Sequence, residues 1–516
     1  MRNHKLALVI AALGIILAFH LWSPLRTAWW YVTDDYRWPT VLGPDKTITF
    51  SEFLANCNPP DWPLGSKVNR PTYYFSTSLM MFLFGDKIQL WYLTRIVIMA
   101  FSLASIGYIL TRLCNVIWAA VAVVLIGTHG LWIDALLRLQ SEVFSFLGFA
   151  LVGLLSFWVL SPKFERYSRC TRYSLQFCLT LAALYLTGSK ENITVLMIGV
   201  TAGVLILPIF TLRARLSPLL VPSAIALAWG LIIAWFVTRS VLASGADIYG
   251  NSVLPKSPVK VITDAIQQNY WGTAAFVATL LIGTWYWFRH RHSTDSKPSV
   301  ALTLVAQACV IAYGIFLLYF YHGSIPPDSR YEFPYAFVPF TGLLMFGTWL
   351  SGLSSERPYR ICFALLASGV AIAYGVKTFS SKQLNANRIM AEKYSHATHN
   401  FQQRLEALFT LARQDPERPI LFQSYGLNDA EPLASVDLFL RANGLSNPIY
   451  LEIIGYSEKT TNSPAELNLY RITTSLITNG RFGAKSALAD SAQPIIANFS
   501  NTDLSNGAVG NFWPIW

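Results

Sequence analysis

Two adjacent carboxylates, Asp34 and Asp35, follow the first apolar run of the chain in the segment Thr33-Asp34-Asp35-Tyr36-Arg37-Trp38. Paired acids in water can serve as a general base on an acceptor hydroxyl, ligate a divalent cation such as Mg or Mn through hard oxygens, or cap a helix. Residue type alone leaves all three open. The segment Gly188-Ser189-Lys190-Glu191 sets Lys190 between two apolar runs. There a compact ammonium either meets a phosphate as a point charge or snorkels beside its acidic neighbour. Asp134, Arg138 and Glu142 are spaced four apart, which puts them on one face if the helix is continuous, lining a polar cavity or forming a surface ion-pair ladder. Pro326-Pro327-Asp328-Ser329-Arg330-Tyr331-Glu332 carries Arg330, whose fork of donors suits a phosphate, although the same composition also describes a Pro-rich turn with a solvated arginine.

The elements that position these residues are membrane spans. The 516 residues are 53% hydrophobic and 13% charged, against about 25% charged in an average soluble domain. A mean hydropathy of +0.40 is carried by long runs such as 117–133 and 302–319. Each is long enough or nearly so to cross roughly 30 Å of hydrocarbon, and a series of them is not a signal peptide. Spans are expected near 6–22, 90–111, 116–133, 138–160, 174–188, 193–212, 219–241, 271–288, 299–320, 334–352 and 361–377. The net charge of +11 does not require nucleic acid. Its cations sit in alternate connections: Arg2 and Lys5, Arg112, Lys163 to Arg172, Arg213 and Arg215, Arg289 to Lys297, Arg357 and Arg360. Few acids, Glu165, Asp295 and Glu356, oppose them. That surplus orients these loops and the N-terminus to the cytoplasm and leaves residues after Lys377 outside.

The apolar stretch 73–84 is too short for a lone crossing, and a crossing there would reverse every later basic loop. Residues 23–89 therefore read as one extracytoplasmic loop with an amphipathic helix lying on the membrane. From residue 378 the chain turns polar. Its helical stretch 382–413, strands near 419–422 and 449–454 and helix 432–442 suggest a small α/β unit over 378–516. The six cysteines and eight histidines show no disulfide framework or metal spacing. Asn192-Ile193-Thr194 and Asn498-Phe499-Ser500 match the N-glycosylation triplet, a weak signal.

The first loop ends in Asn69-Arg70-Pro71-Thr72-Tyr73-Tyr74-Phe75 and a short apolar helix closing at Phe84-Gly85. An acidic doublet after the first span, an Arg-Pro-x-Tyr-Tyr entry into an interfacial helix, and a Ser-Lys-Glu element between later spans resemble the GT-C glycosyltransferases. The branch resembled uses polyprenyl-phosphate sugars and includes protein mannosyltransferases, aminoarabinose transferases and O-antigen glucosyltransferases. The resemblance covers residues 1–377. It implies an all-α polytopic fold of about eleven spans carrying the small extracytoplasmic α/β domain, in a bacterial inner membrane with that domain periplasmic. It further implies inverting transfer of a sugar from a lipid-phosphate carrier to a glycan, lipid or protein acceptor. Asp34 and Asp35 would then be catalytic or hold a divalent cation. Arg70, Tyr73, Arg138, Glu142, Lys190, Glu191, Arg330 and Tyr331 would bind substrate. A carrier or flippase for a lipid-linked saccharide is the rival, because Arg95 and Arg239 fall within or near spans. An O-antigen polymerase or ligase is a third reading.

Overall fold

The computed structural model describes residues 2–30, 37–42, 45–58, 69–113, 116–137, 141–161, 163–210, 213–244, 381–424, 430–453, 482–489 and 492–498, with isolated positions 259, 263, 277 and 281. Asp34, Asp35, Arg138, Arg330, Tyr331 and the four spans expected between 271 and 377 lie outside the described residues.

The described chain is mostly helical. It runs α1 (Arg2–Phe19), α2 (Trp22–Leu25), α3 (Arg37–Leu42), α4 (Phe50–Asn56), α5 (Pro71–Phe84), α6 (Ile88–Leu113), α7 (Val116–Gly127), α8 (Leu131–Leu137), α9 (Ser141–Val159), α10 (Arg169–Thr187), α11 (Glu191–Phe210) and α12 (Arg213–Ser244). Among the described residues Lys5–Leu25, Ile88–Arg112, Ser141–Val159 and Ser217–Ala243 are long and apolar enough to cross a membrane. A fifth span follows if α7 and α8, bent by 49°, count as one. The straight span expected over 116–133 is therefore broken. The cause is local: His129 Nδ1 accepts from Leu131 N at 3.2 Å and caps α8, while Trp132 Nε1 donates back to Ile126 O at 2.6 Å. The stripe expected of Asp134, Arg138 and Glu142 needs one continuous helix. Asp134 lies in the first turn of α8 and Glu142 in the first turn of α9, both buried rather than on a surface ladder, and Arg138 between them is outside the described residues.

The first loop holds four short helices. A capping box of Thr49 and Glu52 starts α4, and its hydrogen bonds, the Thr49 backbone bond first, hold the exposed Glu52 carboxyl below the usual carboxylate range. Phe53 of α4 packs on Phe75 and Phe82 of α5 with ring centroids 5.9 and 5.8 Å apart. The buried face of α5 mixes Thr72, Ser76, Thr77 and Ser78 with Tyr73, Tyr74, Met80 and Met81, whereas its exposed residues Phe75, Phe82 and Leu83 are apolar. An apolar exposed face is favoured where the outer surroundings are apolar.

The tail begins with α13 (Ser381–Gln414) and continues through β1 (Ile420–Ser424), α14 (Ala430–Ala442), β2 (Ile449–Ile453), β3 (Gly483–Ala484) and β4 (Ile495–Asn498). The four strands form one parallel sheet in the order β3-β2-β1-β4, with Ile420 opposite Ile449 on one side and Ile495 on the other. Ile420, Leu421 and Phe422 are all buried, as expected of a strand covered on both faces. The 34 residues of α13 span about 50 Å. Among its buried positions Asn387, Ala391, Tyr394, Thr398, Phe401, Leu405, Leu408 and Ala412 alternate steps of four and three, flanked by buried Ser395, Ala397 and Gln402, a stripe that keeps one helix face on its partners. Hydrophobic residues of the tail and of α1 to α9 belong to one buried cluster.

On β2, just past its pairing with β3, Glu452 accepts from Lys485 and from Gln423 Nε2 at 2.9 Å. The Lys485 bond, then the Gln423 bond, lower its pKa. A lowered carboxylate stabilises the fold above its unfolded pKa and ceases to do so as pH falls through its folded value. Amide exchange at β2 should therefore quicken as pH is lowered below about 4.5, after correction for intrinsic exchange, and Glu452→Gln should remove that response. An unchanged acid response in Glu452→Gln would mean that other carboxylates govern it.

Candidate functional site

Three stretches distant in sequence meet at one end of the helical bundle: the entry to α5, the start of α9 and the α10–α11 turn. Pro71 opens α5 at its first turn, where a missing N–H costs nothing. Thr72 N donates to Gly188 O at 3.0 Å, and Thr72 Oγ1 donates to Tyr185 O at 2.7 Å. This approach requires a residue without a side chain at 188, since a Cβ there would stand 2.8 Å from Thr72 Oγ1 and 3.1 Å from Pro71 Cγ.

Two ion pairs lie at this junction. Arg70 Nε donates to both Glu191 carboxylate oxygens, at 2.9 and 2.8 Å, and Asn69 N donates to Glu191 Oε1 at 3.1 Å. Beside it, Lys190 Nζ donates to Glu142 Oε1, and these two side chains are each only 7% exposed. Ser145 and Ser189 share a hydrogen bond of 2.8 Å between the same two segments. Lys190 is thus paired, though not with its neighbour Glu191. Successive helical residues point about 100° apart, so Lys190 and Glu191 reach different partners.

Tyr73 links this polar junction to the first loop. Its ring packs on Trp38 of α3 at 5.9 Å, on Tyr74 at 5.6 Å and on Phe144 of α9 at 6.2 Å. Of the residues singled out in the sequence, Arg70, Tyr73, Glu142, Lys190 and Glu191 come together. Asn69, Thr72 and Ser189 stood in the sequence motifs without a role assigned to them, and Ser141, Ser145 and Tyr185 were not singled out. The four-residue spacing of Ser141 and Ser145 around Glu142 was the available signal, since it places both hydroxyls on one helix face.

The remaining ionisable groups have other work. Arg95 is 1% exposed, donates to Leu136 O near the C-terminus of α8 and stands 5.5 Å from the Tyr92 ring centroid. It braces α8. Arg239 is on the exposed face of α12. Asn192, with its side chain buried and accepting from Ile193 N at 2.9 Å, is inaccessible to glycosylation in the folded chain. Cys57, Cys170 and Cys178 are free thiols. Among the described residues no three His, Cys, Asp or Glu side chains gather as a metal site.

The arrangement holds charge largely away from water: a buried Lys190–Glu142 pair beside a partly buried Arg70–Glu191 pair, with the Ser145 and Ser189 hydroxyls between the same segments. Comparison with protein-family models finds none that matches the chain, and comparison with curated proteins finds none significantly similar.

Proposed function

We propose that the chain is an integral membrane glycosyltransferase of the GT-C type. It moves a sugar from a polyprenyl-phosphate carrier to a cell-envelope glycan, lipid or protein acceptor on the extracytoplasmic face. The observation that carries the reading is the meeting of Arg70, Tyr73, Glu142, Lys190 and Glu191 at one end of the bundle, beside an α5 whose exposed face is apolar. These are the residues that the resemblance implicates, from three separate segments. A set of buried and partly buried fixed charges suits a donor with an anionic head and an apolar tail.

In this reading Asp34, with Asp35 beside it, takes the acceptor proton or holds a divalent cation, and Arg138 and Arg330, with Tyr331 beside the latter, supply cations for the carrier phosphate. Attack opposite that phosphate inverts the anomeric carbon. Eleven spans place the tail in the periplasm. Reporters fused after Arg169, Arg291 and Arg357 should then report cytoplasm, and one after Asn400 the outside. A cytoplasmic signal at Asn400 would remove the tail from outer-face chemistry.

The rival carrier or flippase draws on the broken α7–α8 span and on Arg95, since transporters use interrupted helices at mid-membrane. Here the break lies at the bundle end under the tail, where Asn387 Nδ2 donates to Thr128 O at 3.0 Å. Purified protein in vesicles with a labelled lipid-linked sugar decides between them. Transfer with release of free carrier phosphate is expected; movement of intact lipid-linked sugar across the vesicle without release would favour the carrier.

A further inference from the structure

The tail grips the first loop on both sides of the acidic doublet. On the N-terminal side the grip is α13. Thr27 and Ser395 hydroxyls share a hydrogen bond of 2.7 Å, Trp29 N donates to Thr398 Oγ1 at 3.1 Å, and Trp29 Nε1 donates to His399 Nδ1 at 2.9 Å. Trp29 O in turn accepts from Tyr92 OH at 3.0 Å, and Tyr394 OH lies 3.4 Å from Tyr92 OH. On the C-terminal side the grip is α14. Thr40 Oγ1 donates to Leu438 O at 3.0 Å, and Trp38 and Leu42 are buried in the same cluster as Leu433, Val436 and Leu440. Tyr394 also donates to Leu137 O, next in sequence to Arg138.

These contacts are polar, directional and numerous, which a passive cover over an apolar bundle end would not need. A hydrophobic cap can slide; a set of hydrogen bonds to Thr27, Trp29 and Thr40 fixes register. The same stripe of α13 continues through Phe401, Leu405 and Leu408, which are buried in the cluster that includes the sheet residues Ile420 and Ile495. The loop is therefore tied to a stiff support. We propose that the tail is a positioning element, whose α13 and α14 hold the two flanks of the acidic doublet, 27–29 and 38–42, and so fix those flanks at the bundle end where Trp38 meets Tyr73. The catalytic half of this statement rests on the transferase reading above; the mechanical half does not.

The test uses the full chain in lipid nanodiscs. Thr398→Val with His399→Phe removes the acceptors for Trp29, and Thr40→Val removes the donor to Leu438. Thr40→Ser, which keeps the hydroxyl, is the conservative control. Loss of one net hydrogen bond corresponds to about fivefold in an opening equilibrium, and the combined variant loses three. Amide exchange in the peptide spanning 37–42 should therefore quicken by about tenfold or more in the combined variant, with α6 exchanging at the parental rate and Thr40→Ser unchanged. With a polyprenyl-phosphate sugar, kcat should fall while the donor KM stays the same. Parental exchange at 37–42 in the combined variant overturns the proposal. So does faster exchange with parental kcat, which would make the tail a cover and leave the transferase reading intact. If the parent protein transfers no sugar, the transferase reading fails and the exchange result alone judges the mechanical hold.

Discussion

Asp34→Asn is expected to lower sugar transfer by roughly 100- to 10,000-fold while the protein still inserts and folds. Asparagine keeps nearly the shape of aspartate but neither accepts a proton at neutral pH nor offers a full negative charge. If Asp34 is the general base, turnover collapses at unchanged donor KM, because the group acts on the acceptor proton in the transition state. If the doublet holds a divalent cation, loss is at least as large and the parent enzyme is sensitive to chelators. Asp35→Asn should impair transfer less if Asp35 orients its neighbour. Parental turnover in both variants, with a verified lipid-linked donor, would make the doublet structural. Because the tail holds residues on either side of this segment, insertion and thermal unfolding of Asp34→Asn should match the parent, and that match is the control that makes the activity loss interpretable.

What the sequence discloses here follows the range of the forces involved. Local and periodic features are legible. The strands at Ile420 and Ile449 and the helix between them lie within a few residues of expectation, because alternation and turn residues act over short distances. The helix expected over 382–413 is likewise present as α13 (Ser381–Gln414), read from its helical composition. The break after Gly127 was not. The run from 117 to 133 is apolar throughout except for Thr128 and His129, so hydropathy passes over it, and the bend depends on one imidazole finding the Leu131 amide. Ion-pair partners were likewise hidden. Arg70 and Glu191 are 121 residues apart and Lys190 and Glu142 are 48 apart, and sequence proximity pointed instead to Lys190 with Glu191. The short helix expected over 73–84 is present as α5 (Pro71–Phe84), but the burial of its Thr72, Ser76 and Ser78 emerges only from what covers them.

The Lys190–Glu142 pair makes the second large prediction and changes how the donor site must be tested. Both side chains are nearly excluded from solvent, so removing one strips a buried charge of this ion-pair partner. Lys190→Met is expected to cost about 3 to 5 kcal/mol, read as a lower unfolding midpoint in detergent. Replacing both partners, Lys190→Met with Glu142→Met, restores a neutral interior of similar volume and should recover stability to within about 1 kcal/mol of the parent or better. A single Lys190 variant that loses transfer therefore says nothing about donor binding, since an unfolded enzyme is also inactive. The double variant does. Stable and active, it assigns the pair to the fold and leaves the carrier phosphate to Arg138 and Arg330. Stable with a raised donor KM, it places the Lys190 ammonium at the phosphate, with Glu142 as the partner that holds the charge in place until the donor arrives. Should Lys190→Met unfold at the parental midpoint, the pair is solvated in the native state and the burial argument fails.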